Sequence, residues 1–568
     1  MDKRPVDRLA PPSRGLLWLL LAVLVAVWFC NLEQRKLVRP DEGRYAELAR
    51  HMMVSGDWVT PRLNGIKYFF KPPLQYWATA GAYSTFGMHH WTARLWPALT
   101  GLAGILLTAF VGWRLYGPTV GLYAGAVLCS AGLYVALGNL NTLDMGLAVF
   151  MSGVLSGVLL GQRDGASERE RRNWMLFAWA CAALAVLSKG LVGVVLPGAA
   201  VALYILIERD WRRLLRLQLV TGSLLFLAIA APWFVVVSLR NPEFLHFFFI
   251  HEHVERFLTP VHRREAPWWF FLQIHALGFL PWLLPMIAGL AGSWRVERGR
   301  PGFRPTRLIA IWVVFIVLFF SLSSSKLPSY TLPVWPACAL LTALAIDRLS
   351  PRAFAWQMAP IVLLSLLSAA GLTGLLLAGG IERLVPDPVR AEMVTGVARF
   401  FIAGSLAMLA GSLWAWFAAR RGRVTAAVAG MAVGALIGWQ LMIAGHERMS
   451  PSTSAYQLAQ AIAPELERDM KPDTPFYSVA VYEQTLNFYI NRVTTLVAFR
   501  DEFDFGLAQE PQLTLHTVEA FEAAWRSDPV AFAIMQPQTF DELAARGVPM
   551  EVLARSTKRV VVRTPGGS

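Results

Sequence analysis

Residues 355–379 read AWQMAPIVLLSLLSAAGLTGLLLAG, 25 positions without one Asp, Glu, Lys or Arg. A helix rises about 1.5 Å per residue and a bilayer's hydrocarbon core is about 30 Å thick, so about 20 apolar residues cross it. A helix on the surface of a soluble domain shows a polar face, and this run has none to show. Arg348 and Arg352 stand just before it, where charge stops. The run reads as a membrane span.

Outward from it, the chain offers roughly thirteen such candidates. They lie near 15–31, 94–113, 118–137, 143–162, 174–188, 190–207, 218–239, 268–293, 308–325, 331–347, 355–379, 398–418 and 425–445, with Lys189 interrupting the pair 174–188 and 190–207. Composition agrees. Only 16% of the 568 residues are charged and 55% are hydrophobic, where soluble chains carry about 25% charge. The expected fold class is an all-α polytopic membrane protein. A soluble enzyme, a disulfide scaffold and a disordered regulator are excluded. Cys30, Cys129, Cys181 and Cys338 lie far apart in apolar runs and fit neither a zinc site nor a disulfide framework.

The formal net charge of +14 suggests nucleic acid until its distribution is read. Lys3, Arg4, Arg8 and Arg14 precede the first span, and clusters at 163–172, 209–216, 295–307, 348–352 and 420–423 occupy every second connection. Excess Lys and Arg mark cytoplasmic loops. One parity satisfies them all, with the amino terminus inside and the carboxyl-terminal segment outside. No convincing cleavage site follows span 15–31, so it is expected to remain a span and not a signal peptide.

Chemistry is therefore sought on the outer side. The first outer segment, 32–93, places Tyr45, Leu48, Ala49, Met52 and Met53 at helical spacing, an amphipathic stripe suited to the interface or to packing on the bundle. A second helix is expected over 73–86, opened by Pro72-Pro73. Residues 1–445 form the membrane domain. Residues 446–568 have soluble composition and predict a small α/β domain, with strands at 476–482, 494–499, 531–536 and about 558–563, and helices at 484–491 and 539–547.

Ionisable residues at the bilayer edge are costly and need a partner or a function. Asp41-Glu42-Gly43-Arg44-Tyr45 opens the first outer segment, Lys71 sits before two prolines, Asp144 follows Asn139 and Asn141, and Lys189 and Lys326 stand at outer helix junctions. Helix capping accounts for acids at such positions without catalysis. His251-Glu252-His253 can hold a divalent metal or form a hydrogen-bonded loop network. Fixed cations suit phosphate oxygens, and carboxylates suit an amine or a developing oxocarbenium charge.

Asp-Glu-x-Arg-Tyr, Gly56-Asp57-Trp58, Tyr68-Phe69-x-Lys71-Pro72, Ser188-Lys189-Gly190, Glu252-His253-x-x-Arg256-Phe257 and Lys326-Leu327-Pro328-Ser329-Tyr330 occur in that order. This set resembles the lipid A 4-amino-4-deoxy-L-arabinose transferases, C-type (GT-C) membrane glycosyltransferases related to the protein O-mannosyltransferases. The resemblance runs to about residue 340 and then weakens to general architecture. It implies a thirteen-span inner-membrane enzyme whose active site faces the periplasm. The implied donor is an undecaprenyl phosphate-linked sugar and the implied acceptor is lipid A, giving resistance to polymyxin. It implies catalytic roles for Asp41 and Asp144. Arg44, Tyr45, Lys71, Lys189, Glu252, His253, Arg256, Lys326 and Tyr330 are the implied substrate-binding residues, Tyr330 on a mobile loop. No cofactor is certain. Where the family has Glu before Lys-Pro, a candidate metal ligand, this chain has Phe70, which puts a divalent metal in doubt. The chain is expected to work as a monomer among membrane lipids, with no nucleic acid. Transfer of a hexosamine or another sugar, a protein or polysaccharide acceptor, and a flippase or transporter are the alternatives.

Overall fold

A computed structural model describes residues 14–255, 266–297 and 302–565. Helices α1 (Arg14–Phe29), α2 (Asp41–Ser55), α3 (Leu74–Phe86), α4 (His90–Tyr116), α5 (Pro118–Cys129), α6 (Gly132–Gly138), α7 (Asp144–Gly161), α8 (Glu168–Lys189), α9 (Val192–Glu208) and α10 (Leu219–Arg240) build the first half. The second half of the bundle adds helices Phe270–Gly278, Leu283–Val296, Pro305–Leu322, Trp335–Arg348, Pro351–Leu377, Pro388–Arg420 and Val424–Gly445. The chain is a multi-pass membrane protein of the expected all-α class.

Among the described residues eight helices are long and apolar enough to span, or nine when α5 and α6, bent by 66°, count as one. The thirteen expected spans are not all of that length. Helices α1 and α9 have 16 and 17 residues. Helix α8 opens with Glu168, Arg169, Glu170, Arg171 and Arg172, behind a Ser167–Glu170 capping box. The run 268–293 breaks into two helices between Gly278 and Leu283, where Pro281 cannot donate a backbone hydrogen bond.

The opening stretch shows its expected character. Leu363, Leu364, Leu366 and Leu367 are exposed on helix Pro351–Leu377, as lipid-facing residues should be. Helix Pro388–Arg420, which packs against it, and the next helix Val424–Gly445 touch backbone to backbone: a Cβ on Gly434 would meet the Gly411 Cα at 2.7 Å. Small residues permit such approach where lipid offers no hydrophobic gain for helix association.

After Gly445 the chain leaves the bundle. A six-stranded sheet forms from β3 (Phe476–Val479), β4 (Thr495–Val497), β5 (Thr514–Leu515), β6 (Phe532–Met535), β7 (Glu551–Arg555) and β8 (Val560–Arg563), following the short hairpin β1 (Arg62–Leu63) and β2 (Ile66–Lys67) of the first loop. The order is β5-β4-β3-β6-β8-β7, parallel from β5 to β6 and antiparallel at β8 and β7. All four expected strands are present. Strands β5 and β7 and the helices Tyr456–Asp469 and Val518–Ser527 add to them.

This region sits on the first loop. Leu48, Ala49 and Met52 of α2 share one buried core with Tyr76 of α3 and with Tyr482, Phe488 and Phe503. Polar anchors surround that core. Arg62 forks onto Glu510 at 3.0 and 2.9 Å, Arg39 meets Glu483 at 2.8 Å, and Glu447 accepts the Lys36 amide at 2.7 Å. Protein therefore covers the inner face of the α2 stripe, while Val54 at its end remains exposed.

Candidate active site

Asp41 and Glu42 begin α2 side by side. Glu42 turns inward and is buried. Both its oxygens receive the Arg94 guanidinium, at 2.7 and 2.8 Å, and it also accepts the backbone amides of Val38 and Asn141. Burial would raise this carboxyl, but the charge and hydrogen bonds of Arg94, with Arg35 and the Asn141 amide, outweigh it and hold the pKa down to about 2. Arg94 also donates to the carbonyls of Leu32, Arg35 and Lys36. One buried cation thus fixes the exit of the first helix and the start of α2. Glu42, accepting the Asn141 amide, ties both to the turn that opens α7.

Asp41 faces out, its side chain 48% exposed, and accepts from Arg44 at 2.6 Å. The same guanidinium donates to Glu502 at 2.6 Å, and Gln484 donates to the other Glu502 oxygen at 3.0 Å. Gly43 makes this junction possible. A Cβ there would meet the Gln484 carbonyl carbon at 2.6 Å and the Thr485 methyl at 2.7 Å. Tyr45 stacks on Tyr76 at 6.1 Å. Burial, with Asp41 nearby, pushes the Tyr45 phenol well above its ordinary value, and burial raises Tyr68 too, against the pull of Arg44. Both stay protonated.

A second carboxylate–cation pair lies at the start of α7. Asp144 accepts from Lys189, the last residue of α8. Gly190 then takes φ +91°, a region that favours glycine, which lets the chain turn away at once. The Tyr330 ring centre lies 5.1 Å from the Lys189 ammonium. Lys326, four residues before Tyr330, is buried and donates to the Ser323 carbonyl at 2.6 Å.

The third group is Lys71 with Glu252, at 3.0 Å, the Glu252 side chain fully buried. Phe70 stands beside it in an aromatic cluster, 4.7 Å from Tyr68 and 5.1 Å from Phe247, and Phe247 stacks on His251 and Phe505. Tyr68 feels the charges of Arg44, Glu502, Glu252 and Asp41, which links the first and third groups electrostatically. Arg256 and the side chain of His253 lie outside the described residues. Among the described residues no three His, Cys, Asp or Glu side chains are placed to hold a metal ion. Where the resemblance puts a ligand, Phe70 offers a hydrocarbon ring, and Glu252 is engaged by Lys71.

Residues 459–564 match the family model described as the aminoarabinose transferase C-terminal domain. Residues 16–248 match the dolichyl-phosphate-mannose-protein mannosyltransferases. The crystal structure of ArnT from Cupriavidus metallidurans in the apo state superposes with a TM-score of 0.88 at 38% identity, covering 98% of this chain and 100% of that one. The chain belongs to the ArnT family. The ArnT structure bound to undecaprenyl phosphate matches with a TM-score of 0.89, again at 38% identity and the same coverage. Two curated relatives are named undecaprenyl phosphate-alpha-4-amino-4-deoxy-L-arabinose arabinosyl transferases. That of Aeromonas salmonicida is 32% identical over 58% of this chain, and one from Sodalis glossinidius is 34% identical over 60%. The matched stretch spans 60% and 61% of their lengths.

In this ArnT-family chain the segment between α1 and α4 brings Asp41, Arg44, Tyr45 and Lys71 to the candidate site, the bundle and its connections bring Asp144, Lys189, Glu252, Lys326 and Tyr330, and the carboxyl-terminal region brings Glu502. Glu502 and Phe505 are absent from the sequence expectation. No local pattern marks them, because Glu502 meets its partner across 458 positions. Lys326 is drawn into its own turn, donating to the Ser323 carbonyl, and meets no acid among the described residues.

Proposed function

We propose that this chain moves 4-amino-4-deoxy-L-arabinose from undecaprenyl phosphate to a phosphate of lipid A, with inversion, at the periplasmic face of the inner membrane. The observation that carries the reading is the set of three carboxylate–cation pairs, Asp41–Arg44, Asp144–Lys189 and Lys71–Glu252, at one end of a bundle of ArnT architecture.

The acceptor phosphate is anionic at neutral pH, so its oxygen is already a nucleophile and no strong base is required. It attacks the anomeric carbon of the sugar. A new carbon–oxygen bond forms as the bond to undecaprenyl phosphate breaks, and the electron pair leaves on the donor's phosphate. Lys71, Lys189 and Arg44 offer that phosphate charge-assisted hydrogen bonds. Their carboxylate partners keep them in place until an anion arrives. Asp41, the most exposed of these acids, sits against the positive charge growing at the ring or the sugar's amine, and Asp144 works beside Lys189. The phenols of Tyr45, half-buried, and Tyr68, buried, remain hydrogen-bond donors throughout.

Mass spectrometry of lipid A from cells expressing the chain tests the reading. An added pentosamine supports it. An added hexosamine selects another sugar, and unmodified lipid A from cells that make the donor overturns it.

A further inference from the structure

Away from the charged end, the bundle holds a cavity of about 230 Å³ between α7, α8, α9 and the start of α10. Val158, Met175, Ala182 and Pro197 are among its walls, and every lining residue is apolar. The indole N–H of Trp179, whose ring lines the cavity, already donates to the Leu217 carbonyl at 2.9 Å. Water finds no partner in such a space, whereas a hydrocarbon chain does. The cavity follows α9 from Val194 to Ile205, a length of about 16 Å at the helical rise. Gly198 and Ala202, both exposed, form its side opening, and a Cβ on Gly198 would meet nothing within 4 Å.

The floor carries charge. Leu214 of the short turn Trp211–Arg216 and Leu217 just after it line the floor, and the turn also exposes Trp211 and Leu215 together with Arg212 and Arg216. Exposed aromatic and aliphatic side chains beside arginines suit the headgroup layer of a membrane. Arg213 pins the turn, pairing with Asp210 at 2.7 Å and lying over the Phe303 ring at 4.9 Å. The acids nearby are taken: Asp210 by Arg213, and Glu208 by Arg304 and Arg307. Arg209, Arg212 and Arg216 have no acidic partner among the described residues.

We propose that this cavity takes one acyl chain of an anionic phospholipid from the leaflet at the basic end, with the lipid phosphate on Arg212 and Arg216. Apolar depth and fixed positive charge at its floor match the two halves of that molecule. A polyprenyl phosphate shares the chemistry, but its phosphate belongs with Lys71 and Lys189 at the other end of the bundle.

The test is native mass spectrometry of the delipidated full chain, titrated with phosphatidylglycerol or with phosphatidylethanolamine of the same acyl chains. Phosphatidylglycerol binds the more tightly, and the double variant Arg212→Gln, Arg216→Gln weakens it roughly thirtyfold, the scale of two interfacial arginines. Gly198→Leu closes the opening and removes the bound lipid, and Ala202→Phe does the same should the first variant fold poorly. Equal binding of the two lipids overturns the proposal. So does unchanged binding in both blocking variants, or one-for-one displacement of phosphatidylglycerol by undecaprenyl phosphate.

Discussion

Asp41 and Glu42 are chemically alike neighbours with opposite fates, and the partners around them explain the split. Glu42 spends both oxygens on Arg94 and two backbone amides, leaving none for a substrate. Asp41 has Arg44 on one side and solvent on the other. Asp41→Asn keeps the size of the side chain and removes its charge, so transfer should fall by about a hundredfold or more with thermal stability unchanged. Full activity in that variant, measured with purified protein and lipid-linked sugar, removes Asp41 from the mechanism. Lys71→Ala should act on binding and raise KM for the lipid substrates. An unchanged KM would make Lys71 a partner for Glu252 and nothing more. The sequence marked both residues, because a charge at a bilayer edge has few reasons to be there. It could not separate Asp41 from Glu42, since the turn that aims one inward depends on Arg94, 52 positions away.

At the scale of elements, the fully buried Glu42–Arg94 pair joins α2 to α4 and to the turn before α7. Breaking it strands a buried charge, and Glu42→Ala should cost about 3–5 kcal/mol of stability. The pair also predicts a pH response. Glu42 has its pKa depressed from 4.5 to about 2 on folding. Its contribution is therefore fully present above pH 4.5 and is lost as pH falls through about 2. Thermal unfolding in detergent between those limits should weaken in the native chain more than in Glu42→Gln. Parallel curves would place the acid response elsewhere. Long spans such as Pro351–Leu377 were legible from the sequence because an uncharged run of that length has one physical reading. The count of spans was not. Helix α8 carries five charges in its first five residues, α9 is short, and a proline region divides 268–293.

Across the whole molecule, the site is closed by a region that hydropathy alone separates from it. Glu502 grips Arg44, and Phe505 stacks on Phe247 at 3.9 Å beside Phe70. Glu502→Gln should lower kcat roughly tenfold through Arg44, leave the unfolding temperature in place, and change KM little. A loss of stability with normal kcat would make Glu502 a structural clamp alone. None of this was readable beforehand, because ion pairs formed over 458 positions leave no periodicity. Gly43 gives the arrangement a temporal meaning. Its bare backbone lies against Gln484 and Thr485, so the acid beside it leaves the ribosome early and waits for a surface made hundreds of residues later. A half-made chain already holds Asp41 and Lys71 but lacks the grip on Arg44. An unfinished copy therefore lacks Glu502 and Gln484, the two side chains that complete the Arg44 junction.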